Sequence, residues 1–367
     1  MSIPLFFIVL LVLVIVHEFG HFAMAKLSGM KVEEFGFGFP PRLFSWGKGE
    51  TKYSFNALPF GGFVKILGEN PADLAEHCLA GTVKKEDFTR SFAIARPWKQ
   101  AVVVVAGVVF NFLLAWILFS AGFMIGMPVA VDKSTPVADR SLLITSVLLD
   151  SPADFAGLKA GDEITAISDG GAVGELTESS VQNFVAAHQN KEIGIMIERG
   201  GKKETISITP IKGVLAGKAG IGVSLALVGV KKLPPHLAIS EGLKRTALLT
   251  KETAVVLGSL VRDAFIGKAK LDSLTGPVGL VGVVGDAFEL GIVHLISLTA
   301  LISINLAVIN LVPFPALDGG RLLVILLERI KGSALSPKII NTANTLGFIL
   351  LIFLLILVTY NDITRLL

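Results

Sequence analysis

Apolar residues along the chain gather into four long uncharged runs, with stretches of mixed character between them. The first holds no polar residue from Ile3 through Val16, then continues through His17-Glu18-Phe19-Gly20-His21 to Ala25. The second runs from Ala101 to Met127, the third from Ile292 to Val312, and the fourth from Leu346 to Val358. A membrane-crossing helix needs roughly 20 residues at about 1.5 Å each. The second and third runs reach that length. The first reaches it only if the His-Glu-His cluster lies inside the helix, and the fourth is short. The first run lacks a basic start and a small-residue cleavage site, so a span is expected there and not a cleaved leader.

Between these runs the period changes. Lys52 to Ile66 interleaves aromatic and β-branched residues around Pro59 and Gly61-Gly62, which predicts a β-hairpin. Phe35-Gly36-Phe37-Gly38-Phe39-Pro40-Pro41 predicts a glycine-aromatic loop, too apolar to stand free in water. Short β-rich runs follow at Leu142–Leu149, Glu163–Ser168, Ile193–Glu198 and Glu204–Thr209, with a helical run at Glu178–Gln189 and turn signals at Asp169-Gly170-Gly171 and Gly200-Gly201. Residues 237–266 carry an apolar stripe with Lys244, Arg245, Lys251, Glu252, Arg262 and Asp263 off it, the pattern of an amphipathic, non-spanning helix.

The predicted fold is an α-helical polytopic membrane protein of about four transmembrane helices. It carries a membrane-associated β-hairpin and one inserted extracytoplasmic β-rich domain. The expected divisions are 1–127, a first membrane half; 128–212, the β-rich domain; 213–290, a helical linker at the outer surface; and 291–367, a second membrane half. Lys26, Lys31, Arg96 and Lys99 flank the loop after the first run, and Arg321, Arg329, Lys331 and Lys338 follow the third. By the excess of positive charge on cytoplasmic loops, 27–97 and 321–339 are expected inside, and the termini and 128–290 outside.

Composition narrows the chemistry. Of 367 residues, 52% are hydrophobic and 17% charged, which excludes disorder and fibrous folds. A net charge of +3 offers no basic face for nucleic acid. The single cysteine, Cys78, allows no internal disulfide and no all-cysteine metal site. Any metal must therefore rest on histidine and carboxylate.

The sequence His17-Glu18-Phe19-Gly20-His21 supplies such groups. Residues four apart share one helix face, so both imidazoles can bind one tetrahedral Zn²⁺, with Glu18 beside them as general base. A helix end leaving the membrane is the plainer explanation, but two histidines and a glutamate inside an apolar run are costly without a role. A hydrolytic zinc site needs a third protein ligand. Asp318 is the only acid from Ile292 through Leu327 and follows Asn310-Leu311-Val312-Pro313-Phe314-Pro315-Ala316-Leu317. The prolines must end the third helix, and Gly319-Gly320 permits close backbone approach. Asp318 could merely cap the next helix, which is compatible with its being a ligand. One Zn²⁺ per chain on His17, His21 and Asp318 is expected, with Glu18 moving the proton in peptide hydrolysis.

These residues carry a resemblance. His-Glu-x-x-His in the first run and Asn-x-x-Pro-x-Pro-x-Leu-Asp-Gly after the third make the chain similar to the site-2 proteases. These are intramembrane zinc metalloproteases, here of the bacterial regulator-of-sigma-E protease type. The resemblance implies zinc ligands at His17, His21 and Asp318, the base at Glu18, and substrate handling by Asn305 and Asn310. It implies that the hairpin around Phe60, Gly61 and Gly62 is a membrane-reentrant β element that pairs with an unwound substrate strand. Ser151 to Ile164, with Gly157, Leu158, Gly161 and Asp162, resembles the bacterial PDZ signature, with no room for a second such domain. Implied substrates are single-span membrane proteins already cut outside, such as an anti-sigma factor or a signal-peptide remnant. The implied place is the bacterial inner membrane, with the active site near its cytoplasmic side. The alternative is a non-enzymatic membrane scaffold with a peptide-binding PDZ domain and a structural zinc. A metal transporter would want more intramembrane acids.

Overall fold

The computed structural model describes residues 2–69, 85–130, 138–148, 150–168, 176–215, 218–267 and 276–366. His77, Cys78 and the turn signal at Asp169-Gly170-Gly171 lie outside the described residues. The chain forms two compact units: one from 1–121, 239–288 and 295–367, the other from 122–238 and 289–294.

Helices dominate the first unit. Among the described residues, four helices are long and apolar enough to cross a membrane: α1 (Ser2–Leu27), α2 (Pro97–Ile125), α6 (Ile292–Asn310) and α8 (Pro337–Leu366). α1 includes the His-Glu-His cluster, and α8 extends well past both ends of the fourth apolar run. Val9, Leu13, His17 and Gly20 form the buried stripe of α1, while Ile8, Val12, Ile15 and Phe19 are exposed. Helical periodicity therefore turns His17 inward and leaves an apolar face for lipid. α2 buries Val104, Val108, Asn111, Ala115 and Phe119 in the same way.

After α1 come two long strands, β1 (Val32–Lys48) and β2 (Thr51–Ile66). The hairpin expected here exists, but its turn is Gly49-Glu50 and not the Pro59 to Gly62 segment. Phe35–Pro41, expected as a loop, lies within β1. The register explains both differences. Residues 34–37 pair with 62–65 and also with 52–55, while 42–48 pair with 51–56. The glycine-aromatic run thus gains strand partners on both sides, which satisfies its backbone without water. Ala25, Met30, Val32, Ile66, Phe92, Val103, Val104 and Ile325 form one buried cluster at the hairpin base. That cluster joins α1, the hairpin and α2 to α7 (Asp318–Lys331).

The other unit is built on a six-stranded sheet. Its strands are β3 (Met127–Ala130), β4 (Ala138–Val147), β5 (Glu163–Ser168), β6 (Ile193–Arg199), β7 (Lys202–Ile208) and β10 (Val223–Lys231). The order is β3-β10-β4-β5-β6-β7, beside a small pair β8 (Ile211–Leu215) and β9 (Lys218–Gly220). Ile193, Ile195 and Ile197 alternate into the core while Met196 faces out, the period-two pattern of a half-buried sheet. Helix α3 (Glu178–Ala187) opens on a Thr177/Ser180 capping box and packs Val181 and Val185, one turn apart, on that core. The stretch 128–212 falls within this unit.

Two further helices belong mainly to the first unit: α4 (Pro235–Phe265) and α5 (Pro277–Glu289). From Ile239 on, α4 runs with the apolar helices. The Trp116 indole N–H donates to the Ile239 carbonyl at 2.8 Å, and Thr253 Oγ1 donates to Asn305 Oδ1 at 3.1 Å.

Candidate metal centre

Three donor atoms from two distant segments meet inside the first unit. His17 Nε2 lies 3.2 Å from Asp318 Oδ2, and His21 Nε2 lies 3.4 Å from the same oxygen. The two Nε2 atoms are 3.2 Å apart. A tetrahedral zinc with bonds of about 2.0–2.1 Å would have donor–donor edges of roughly 3.3 Å. The triangle therefore has the dimensions of one tetrahedral face. Asp318 Oδ2 is buried and has no hydrogen-bond partner, although both rings are close. This oxygen and the two ring nitrogens lie within 3.4 Å of one another. A buried carboxylate left so costs free energy unless a cation is beside it. The His, His and Asp set thus fits a single metal ion.

Local sequence explains how each donor arrives. α1 carries both histidines one turn apart on its inward face. α6 ends near Asn310 because Pro313 and Pro315 cannot continue it. The chain then turns, and α7 starts at Asp318 with Leu317 at the N-cap. Asp318 is thus the first residue of the helix, not its cap. A Cβ on Gly319 would overlap the carbonyl oxygens of Leu311 and Val312, so this turn closes only around glycine. Arg321, one turn further, pairs with Glu69 at 3.0 Å and lies over the Phe92 ring.

The neighbours of the rings were not foreseen. His21 Nδ1 is 2.9 Å from the Val103 carbonyl. A carbonyl only accepts, so Nδ1 carries the proton and Nε2 keeps its lone pair for a metal. His17 Nδ1 is 3.1 Å from the side-chain amide of Asn111, which is fully buried. Gly107, one turn before Asn111, faces both imidazoles. A Cβ there would overlap His21 Nε2 and sit 2.8 Å from His17 Cε1. The available signal was an amide within a long run whose other residues, Ser120 apart, are apolar, because polar groups at membrane depth usually serve a site.

The remaining expected residues divide. Asn310 Nδ2 is 3.5 Å from His17 Nε2, at the edge of the donor triangle. Asn305 is tied instead to Thr253 of α4. A Cβ on Gly62 would meet Val14 at 3.0 Å, Glu18 Cγ at 3.1 Å and the Gly36 carbonyl at 3.2 Å. The hairpin strand therefore passes directly over Glu18. Gly61 has φ 103°, a conformation suited to glycine, and the Phe60 side chain lies outside the described residues. In the other unit, Leu158 is buried and the Gly161 N–H donates to the Ile144 carbonyl at 2.8 Å. The Gly157 carbonyl accepts from Arg199, and Asp162 holds the Arg199 guanidinium through two contacts of 2.6 Å. These four positions build a clasped turn. The paired Asp162 carboxylate raises the Arg199 pKa.

Charge also fixes the hairpin tip. Glu50 accepts from Arg90 at 2.6 and 2.8 Å and from Lys26, at the end of α1, at 2.6 Å. Arg90 first, then Lys26, lowers the Glu50 pKa from about 4.5 to about 2.

Residues 5–354 match peptidase family M50. The chain is 35% identical over 352 residues to the protein CPE1693 of Clostridium perfringens, covering 96% of this chain and 95% of that one. It is 32% identical to zinc metalloprotease RasP of Geobacillus kaustophilus, covering 99% and 98%. Among solved structures it is similar to the PDZ domain of an SdrC-like protein from Listeria monocytogenes. That match is 28% identical over 25% of this chain and 93% of that one, with a TM-score of 0.22.

Proposed function

This chain belongs to peptidase family M50 and is an intramembrane zinc metalloprotease, and from that premise we propose the roles of its residues. His17 and His21 through Nε2, and Asp318 through its carboxylate, would hold the zinc. The observation that carries this assignment is the donor triangle of 3.2, 3.2 and 3.4 Å around an otherwise unpartnered carboxylate oxygen. When bound there, zinc would supply Lewis acidity to the scissile carbonyl and the attacking water. Glu18 takes the proton of the attacking water on its carboxylate and returns it to the leaving amine. Asn310, beside His17, donates to the substrate backbone.

The substrate is a transmembrane segment of a single-span protein, already trimmed outside. Its helix must open before cleavage, because helical amides are bonded internally and shielded. Residues 62–66 offer a strand for that opened chain to join. They take strand partners from 32–37, and Gly62 lies over Glu18, so a strand added along this segment would run beside the base. The β-rich unit acts as a PDZ-like domain on the extracytoplasmic side, either binding chain ends or limiting entry by size. The site lies toward the cytoplasmic face, following the Lys and Arg flanking the spans.

The test is cleavage of a model single-span substrate by purified protein in liposomes. Wild type cleaves, and chelator abolishes cleavage. Glu18→Gln keeps its zinc and loses activity by at least about 100-fold, the usual scale of general-base catalysis. Equal cleavage by wild type, Glu18→Gln and Asp318→Asn would overturn the assignment.

A further inference from the structure

The two imidazoles are held differently on the side away from the metal. The Val103 carbonyl fixes one tautomer of His21. His17 has no such one-way partner. Its Nδ1 faces the Asn111 amide nitrogen at 3.1 Å, while Asn111 Oδ1 is buried with no hydrogen-bond partner. An amide can donate to a bare Nδ1 or, turned by 180°, accept from Nδ1–H. The first arrangement leaves the His17 proton on Nε2, where it faces the Asp318 carboxylate at 3.2 Å. The second has Nδ1–H donating to Asn111 Oδ1 and leaves Nε2 bare for a metal. The ring is neutral in both.

We propose that Asn111 is the positioning residue of the zinc site, holding the His17 ring and fixing its metal-binding tautomer by accepting from Nδ1–H. The inference rests on His17, His21 and Asp318 being the zinc ligands. Asn111 is well placed for the task. It is 0% exposed and lies on the buried stripe of α2, one turn after Gly107, which lets both rings approach. Its own backbone carbonyl accepts from Ser303 Oγ of α6 at 2.9 Å, a helix contact separate from the side-chain amide. Partners of this kind set the orientation and basicity of a ligating histidine, and losing one costs about 10- to 100-fold in metal affinity.

The experiment measures zinc affinity by competition with a chromophoric chelator on the purified full chain in detergent. The visible spectrum of the cobalt-substituted protein and the melting temperature without metal are recorded alongside. Asn111→Leu keeps the branched shape and heavy-atom count and removes both polar atoms. It is expected to weaken zinc binding about 10- to 100-fold and to shift the cobalt bands, with the metal-free melting temperature within a few degrees of wild type. Ser303→Ala removes the neighbouring helix contact and leaves the amide in place, so its affinity and spectrum should match wild type. Wild-type affinity and bands in Asn111→Leu would overturn the proposal. So would an equal loss in Ser303→Ala, which would trace the effect to helix packing. Asp318→Ala separates the two readings: if it bound zinc as wild type does, the ligand assignment itself would fall, whatever Asn111→Leu did.

Discussion

A methyl group at position 107 would occupy the space of the His21 donor nitrogen. Gly107→Ala is therefore expected to lose most bound zinc while α2, an apolar helix that tolerates alanine well, still forms. Metal analysis beside circular dichroism checks this, and zinc at one equivalent with native helicity would contradict it. The roles of Gly107 and Asn111 escape the sequence for different reasons. Gly107 is informative only once α1 is known to cross α2 at this level. Asn111 carried a signal, an amide inside an apolar run, but its partner lies 94 positions away. By contrast His17, Glu18 and His21 were legible because one helical turn fixes their geometry. Asp318 was legible because no other acid lies between Ile292 and Leu327.

Among the elements, the hairpin departs most from its sequence pattern. Pro59 and Gly61-Gly62 look like a turn, yet they lie inside a strand, and the turn falls at Gly49-Glu50. Pairing on both sides of 34–37 decides this, and such pairing is non-local. Glu50 then anchors the tip to Arg90 and Lys26. Its folded pKa, about 2, lies below the ordinary value near 4.5. The sign follows from linkage: the stabilisation is complete above about pH 4.5 and is lost as pH falls toward about 2. Amide exchange of residues 42–56, corrected for intrinsic rates, should show protection declining through that window in wild type. Glu50→Gln should show weaker protection without that decline. Identical profiles for the two proteins would contradict the anchoring role. The ends of α6 and α7 were easier to foresee, since Pro313 and Pro315 act through covalent geometry alone.

At the scale of the whole molecule, four apolar helices and a separate β-rich unit divide the work between lipid and water. Leu346, Phe348, Ile349, Phe353 and Ile356 stand exposed on α8, a surface suited to hydrocarbon. Length alone reveals the second and third spans, whereas the first needs the His-Glu-His cluster inside it and the fourth extends past both ends of its apolar run. The sheet of the β-rich unit was only partly legible, because β10 pairs with both β3 and β4 across nearly the whole unit. Its stability depends on charge as well as on its isoleucine core. Arg199→Met leaves Asp162, 2% exposed, without its cation. The expected cost is on the order of 3 kcal/mol, read as faster amide exchange across β5 and β6 in the full chain. Unchanged exchange there would show that the clasp contributes little.

Two histidines of α1 and the first residue of α7 are proposed to bind one zinc ion. Zinc K-edge X-ray absorption on the purified chain reads that coordination directly. The expected result is one zinc per chain with two imidazole nitrogens and carboxylate oxygen at about 2.0–2.1 Å, and loss of the zinc in Asp318→Ala. A sulfur neighbour, a single imidazole, or an unchanged spectrum in Asp318→Ala would contradict it.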